Sequence, residues 1–241
     1  MSSTRVGTCG FCLRQQEYYR TFEVVELQQT FYQPPRLATA QKWRAEAPEG
    51  FEFTLKAFQA ITHPPGSPTY RRSRLNDAER SRCGGFQDTP VVRKAWKATL
   101  ELARALDAKL VVFQCPASFR PTDENVANLI RFFQWAHRDR LRLGWEPRGE
   151  AWTDDLLREL CRELSLTHVV DPFQRACLRP RPPYFRLHGI GGYRHRYSGE
   201  ELGRLRQECT APLTYCMFNN ASMGDDAGRY ARMLGDGAEG A

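Results

Sequence analysis

Long apolar stretches are missing from this sequence. Uncharged apolar runs such as Leu110 to Phe113 fall far below the roughly 20 residues that a bilayer-crossing helix needs, so a soluble protein without a membrane partner is expected. An apolar leader core is missing too. Met1-Ser2-Ser3-Thr4-Arg5 leads straight into the strand-like Val6-Gly7-Thr8, and the expected address is the cytoplasm. No repeat, low-complexity tract or wide linker interrupts the chain, which argues for one domain over residues 1–241. Histidine is scarce, with five in all, and this limits any imidazole-based metal centre.

What is present fits a globular chain. Hydrophobic residues make up 41% and charged residues 26% of 241 positions, enough for a sizeable core and unlike a fibre or a disordered chain. The eight cysteines are scattered through strand-like and helix-like segments, so they read as reduced thiols rather than a disulfide framework. Lys and Arg number 35 against 28 Asp and Glu, a net charge of +7. That balance favours anionic partners: nucleic acid, phosphates or carboxylates.

Short β-rich runs alternate with helical patterns. The predicted strands are Val6–Thr8, Val24–Gln28, Phe51–Ala57, Lys109–Gln114, Leu141–Glu146, Thr167–Asp171, Tyr184–His188 and Leu213–Phe218, and eight is the number a closed parallel barrel needs. Thr89-Pro90 supplies an N-cap and N1 proline before a helix over Val91–Leu106, and Ser198-Gly199-Glu200-Glu201 is a capping box. Apolar spacing predicts further helices over Asp123–His137 and Asp154–Leu164. A doubly wound sheet shares this alternation, but its glycine-rich phosphate turn after the first strand is missing. The expected fold is therefore α/β, a single (β/α)8 TIM-type barrel with parallel strands.

Strand parity then locates a candidate site. If Val25 and Leu27, Phe53 and Leu55, Leu143 and Trp145, and Phe185 and Leu187 face the helices, the alternate residues face the barrel axis. Those are Glu26, Gln28, Lys56, Gly144, Glu146, Tyr184, Arg186 and His188, with Arg148 following on the same parity. Glu26, Lys56, Glu146, Arg148, Arg186 and His188 are expected to converge where the strands end, the face on which barrel enzymes build their sites. So many charges need either mutual pairing as an ionic plug or a ligand.

The motifs at these residues are familiar as a set. Val6-Gly7-Thr8-Cys9-Gly10-Phe11, Val25-Glu26-Leu27-Gln28-Gln29-Thr30-Phe31-Tyr32, Phe53-Thr54-Leu55-Lys56 and Ile61-Thr62-His63 occur in this order. Glu146-Pro147-Arg148 with Trp152, Tyr184-Phe185-Arg186-Leu187-His188-Gly189, Tyr197-Ser198-Gly199-Glu200-Glu201-Leu202 and Phe218-Asn219-Asn220 follow. Together they resemble the YecE-like family, a domain of unknown function (DUF 72). The resemblance implies a TIM barrel with a likeness in shape to endonuclease IV and other xylose-isomerase-like barrels. It also adds Tyr32, His63, Trp152 and Asn219 as candidate ligand contacts. This chain has Gln28 where the family usually has Asn, and Cys9-Gly10-Phe11 where Ser-Gly-Trp is more common.

Several chemistries fit these residues. Arg148 and Arg186 can fork onto phosphate or carboxylate oxygens and Lys56 adds a compact charge, while Glu26, Glu146 and His188 can move protons in a hydrolase-like reaction. One of the two glutamates is expected to be only a salt-bridge partner. A second reading recruits Glu26, Glu146, Asp171, His188 and His63 as ligands of a divalent metal in a phosphodiesterase, against the repulsion of three nearby cations. Cys9-Gly10-Phe11-Cys12 is a C-x-x-C without a second pair, so packed thiols are its plainer explanation, and Cys115 is placed on the same face. A third reading is a non-catalytic nucleic-acid binder. It uses Arg71, Arg72, Arg74, Arg80 and Arg82 and the acid-free stretch from Pro172 to Arg196, with Tyr70, Tyr184, Tyr193 and Tyr197 to stack on bases.

Overall fold

The structure, a computed structural model, describes residues 3–178 and 182–236. Eight parallel strands follow one another round a closed barrel: β1 (Ser3–Cys9), β2 (Val24–Leu27), β3 (Glu52–Lys56), β4 (Leu110–Gln114), β5 (Arg142–Glu146), β6 (Thr167–Val170), β7 (Tyr184–Leu187) and β8 (Leu213–Phe218). Helices lie between them: α1 (Gln15–Thr21), α2 (Gln29–Tyr32), α3 (Leu37–Glu46), α4 (Asp77–Arg80), α5 (Pro90–Ala105), α6 (Asp123–Trp135), α7 (Asp154–Glu163), α8 (Gly199–Glu208) and α9 (Met223–Asp236). This is a (β/α)8 barrel, as the alternation predicts. No helix is long and apolar enough to cross a membrane among the described residues.

The expected helix starts hold because each has a side-chain acceptor for an orphan N–H. Thr89 accepts from Val92 N ahead of α5, Thr122 from Asn125 N ahead of α6, and Thr153 from Leu156 N ahead of α7. Ser198 and Glu201 close a reciprocal capping box at α8. One connection departs from strict alternation. Among the described residues no helix follows β6, where Pro172, Pro182 and Pro183 remove backbone donors. Arg179 and Arg181 of the acid-free stretch from Pro172 to Arg196 lie outside the described residues.

Two compact units make up the chain. One comprises Met1–Glu26, Ala47–Glu52 and Thr167–Ala241, the other Leu27–Glu46 and Phe53–Leu166. In the first, buried Tyr18 ties β1, α1 and β2 together: its hydroxyl accepts from Thr8 N and donates to the Val24 carbonyl, both at 2.9 Å. In the second, Phe86, Phe113, Phe132, Phe133 and Trp96 form an aromatic core between β4 and helices α5 and α6. Gly84, at φ +88°, passes so close to the His63 carbonyl that any side chain would collide with it. That turn fixes the loop after β3, which carries one candidate ligand contact.

Candidate functional site

The site residues of the first unit begin with Glu26 at the end of β2. It and Arg186 of β7 have 0% exposed side chains, and they face each other. Arg186 Nε donates to both carboxylate oxygens at 3.2 and 3.1 Å, and Nη2 lies 3.0 Å from Oε1. Tyr184, two residues back on the same face of β7, donates its hydroxyl to Glu26 Oε2 at 2.9 Å. Cys9, in register with Glu26 across β1 and β2, accepts from Arg186 Nη2 at 3.6 Å. Burial, then the Glu26 charge, raises the Cys9 thiol well above its ordinary value. Parity thus places Glu26, Tyr184 and Arg186 on one face, as read from the sequence. A fully desolvated pair of this kind holds its geometry firmly, because either partner alone would be a buried charge.

In the same unit the ends of β6, β7 and β8 supply Asp171, His188 and Asn219. Asp171 Oδ2 accepts the His188 backbone N–H at 2.9 Å, and Oδ1 accepts that of Phe173 at 3.1 Å. Asn219 Nδ2 lies 3.1 Å from His188 Nδ1, which orients a half-buried imidazole.

The second unit gathers Lys56, His63, Glu146 and Arg148. Lys56, at the end of β3, donates to Gln114 Oε1 at 2.8 Å and stands 3.9 Å above the Phe31 ring. Gln114 is in register with Glu146, whose Oε1 accepts from Arg148 Nε at 3.2 Å and Nη2 at 3.1 Å. The two partners differ in exposure: the Arg148 side chain is 41% exposed and that of Glu146 only 7%. His63 packs edge-on against Phe31, with ring centroids 4.8 Å apart, and shares a 2.8 Å hydrogen bond between Nδ1 and the Thr62 hydroxyl. Burial, then the charges of Lys56 and Arg148, lowers its pKa to about 4, so the imidazole is neutral at pH 7. Tyr32 lies beneath the Arg72 guanidinium at 5.0 Å, and its carbonyl accepts from Gln59 Nε2.

Other expected residues have different surroundings. Trp152 is wholly buried, stacked on Phe119 and edge-on to the helix-facing Trp145, and it donates its indole N–H to the Phe119 carbonyl at 2.8 Å. That is a packing position. Tyr70, Tyr184 and Tyr197 are buried, with hydroxyls on the His63 carbonyl, Glu26 and the Gly189 N–H respectively; of the four tyrosines expected to stack on bases only Tyr193 is exposed, at 62%. Three of the arginines in the nucleic-acid reading are paired. Arg186 is paired inside, Arg196 bonds Asp225, and Arg80 bonds Asp77. Cys9 and Cys12 are free thiols. Cys115 is buried, accepts from Trp145 Nε1 and has its pKa pushed up to about 12 by burial.

Sequence reasoning does not single out Gln114, Phe31 or Thr62. Gln114 carries a signal, a polar residue closing the apolar run Leu110 to Phe113. Phe31 and Thr62 carry none beyond lying in the motifs quoted. The five residues of the metal reading do not fit a dication. Glu26 is engaged by Arg186 and Tyr184, and among the described residues no three His, Cys, Asp or Glu side chains are grouped to hold a metal.

Fold and strand-end chemistry define a (β/α)8 barrel with buried charged residues at the C-terminal ends of its strands. The model of the family described as "Protein of unknown function DUF72" matches residues 13–240, and the chain belongs to that family. It is 25% identical over 260 residues to the UPF0759 protein YunF of Bacillus subtilis, covering 91% of this chain and 84% of that one. A crystal structure of a DUF72 family protein from Enterococcus faecalis superposes with a TM-score of 0.73 at 20% identity, covering 96% and 94% of the two chains. Endonuclease IV from Thermus thermophilus shares the fold, with a TM-score of 0.56 at 12% identity over 98% of this chain and 100% of that one.

Proposed function

We propose that the protein binds a phosphate- or carboxylate-bearing small molecule on Lys56, His63 and Arg148 and acts on it by acid/base, hydrolase-like chemistry. The observation that carries this reading is geometric: Lys56 stands 3.9 Å above the Phe31 ring and His63 packs edge-on against that same ring at 4.8 Å, and the charges of Lys56 and Arg148 also help lower the His63 pKa. Two permanent positive charges can receive anionic oxygens, and a neutral imidazole can give or take a proton there. Arg148 is open to solvent while Lys56 is buried, which suits an anion entering from solution. Glu146, held by Arg148, is assigned to proton transfer. Glu26, bonded by Arg186 and Tyr184 without exposed surface, is assigned to fixing Arg186, the salt-bridge role expected of one glutamate.

Calorimetric titration with sulfate and inorganic phosphate at low ionic strength tests the reading. Lys56→Met and Arg148→Met should each weaken binding about tenfold or more, the worth of one charge-assisted hydrogen bond. A parent that binds neither ion at millimolar concentration, or variants that bind as the parent does, would overturn it.

The nucleic-acid reading keeps one observation of its own. Arg71, Arg72, Arg74 and Arg82 are exposed and take part in no ion pair among the described residues. These four arginines, with Tyr32 under Arg72, favour a single-stranded polyanion as the alternative partner.

A further inference from the structure

The sulfur atoms of Cys209 and Cys216 lie 3.6 Å apart. Cys209 caps the C-terminus of α8 and Cys216 sits in β8. Both are free thiols, and neither belongs to the clusters at the strand ends. Tyr230 of α9 places its hydroxyl 3.3 Å from Cys209 Sγ, and the Cys209 thiol donates to the Leu205 carbonyl at 3.3 Å. Sulfurs in van der Waals contact need to approach by only about 1.5 Å to reach the roughly 2.05 Å of a disulfide bond, a distance on the scale of side-chain torsion.

We propose that Cys209 and Cys216 form an oxidation-responsive dithiol that closes to an intramolecular disulfide, with hydrogen peroxide as the oxidant. Cys209 is the attacking sulfur. It retains 7% exposure where Cys216 has none, and the hydrogen bond with Cys216 lowers its pKa against the opposing effect of burial. Burial holds the Cys216 thiol well above its ordinary value, so Cys216 resolves rather than initiates. The Cys209 thiolate attacks one peroxide oxygen and the O–O bond breaks. A sulfenic acid forms, and the departing hydroxide takes up the proton that Cys209 gave up, leaving as water. Cys216 sulfur then attacks Cys209 sulfur; the S–S bond forms, the S–O bond breaks, and hydroxide leaves with the Cys216 proton as a second water. Two thiols are oxidised by two electrons and one peroxide is reduced to two waters.

Peptide mapping of the full chain tests this. Both cysteines fall in one tryptic segment, Gln207 to Arg229, and chymotrypsin cuts between them after Leu213 or Tyr215. After peroxide treatment and maleimide blocking, the two chymotryptic fragments should be recovered joined, two hydrogen masses lighter, and separable by reductant. Cys216→Ala should instead leave a Cys209 sulfenic acid that dimedone traps. Recovery of both cysteines of the parent as maleimide adducts, while half-buried Cys12 and Cys177 oxidise, would overturn the proposal. So would a disulfide joining Cys209 to any other cysteine. Both of these results are measured on the parent protein, so they hold even if the variant fails to fold.

Discussion

The imidazole of His63 shows how neighbouring charge sets what one residue does. Its pKa falls from 6.5 to about 4, by burial first and then by Lys56 and Arg148, so folding favours the neutral form. The stabilisation is fully present above pH 6.5 and is lost as pH falls through 4, because the unfolded chain takes up that proton first. The loss attributable to His63 between these limits should be on the order of 3 kcal/mol. It is read as the difference in thermal midpoint between parent and His63→Gln across that window. Sulfate adds a second sign. An anion on Lys56 and Arg148 offsets their repulsion of the imidazolium, so it raises the His63 pKa, and sulfate must bind more tightly as pH falls. Sulfate keeps its charge over this range, so the gain belongs to the protein. Parallel pH profiles for parent and His63→Gln would remove His63 from the anion site.

At the scale of strands, β2 and β7 share a sealed ion pair, whereas the pair at the end of β5 opens to solvent through Arg148. The same substitution therefore has unequal consequences. Glu26→Gln removes a carboxylate from a wholly buried Arg186 and should cost about 3–5 kcal/mol. Glu146→Gln releases a 41% exposed Arg148 and should cost about 1 kcal/mol or less. Urea unfolding of both variants checks this, and equal losses would contradict the division of roles between the two glutamates. Parity makes the sealed pair legible: alternation with apolar neighbours puts Glu26 of β2 and Arg186 of β7 on the same side, where they meet. Helix starts are legible for a comparable local reason, since Thr89, Thr122, Thr153 and Ser198 cap within three residues of themselves. The fate of Tyr70, Tyr184 and Tyr197 is not. Burial of a loop tyrosine depends on a distant acceptor or donor, such as the His63 carbonyl or the Gly189 N–H, and no local pattern encodes that. The arginine stretch misleads in the same way, because Arg196 meets Asp225 from 29 positions away.

For the whole molecule, a net charge of +7 attracts any polyanion, so attraction alone does not separate a small-anion site from a nucleic-acid surface. Salt dependence does. A single strand held by several phosphate contacts releases its counterions, and log affinity falls with log salt by about 0.7 per contact. Arg71, Arg72 and Arg74 lie together, exposed and without carboxylate partners among the described residues, so a single strand bound there should touch at least two of them. The triple variant Arg71→Glu, Arg72→Glu, Arg74→Glu should then bind a fluorescent oligonucleotide more weakly at low salt, with a slope shallower by roughly 1.4 or more. Sulfate affinity should stay at the parental value, since Lys56 and Arg148 are untouched. Loss of sulfate binding in that variant would merge the two surfaces into one. A parent that fails to bind the oligonucleotide at low salt, or a variant that binds it equally, would eliminate the nucleic-acid reading and leave the small anion as the partner that the charge serves.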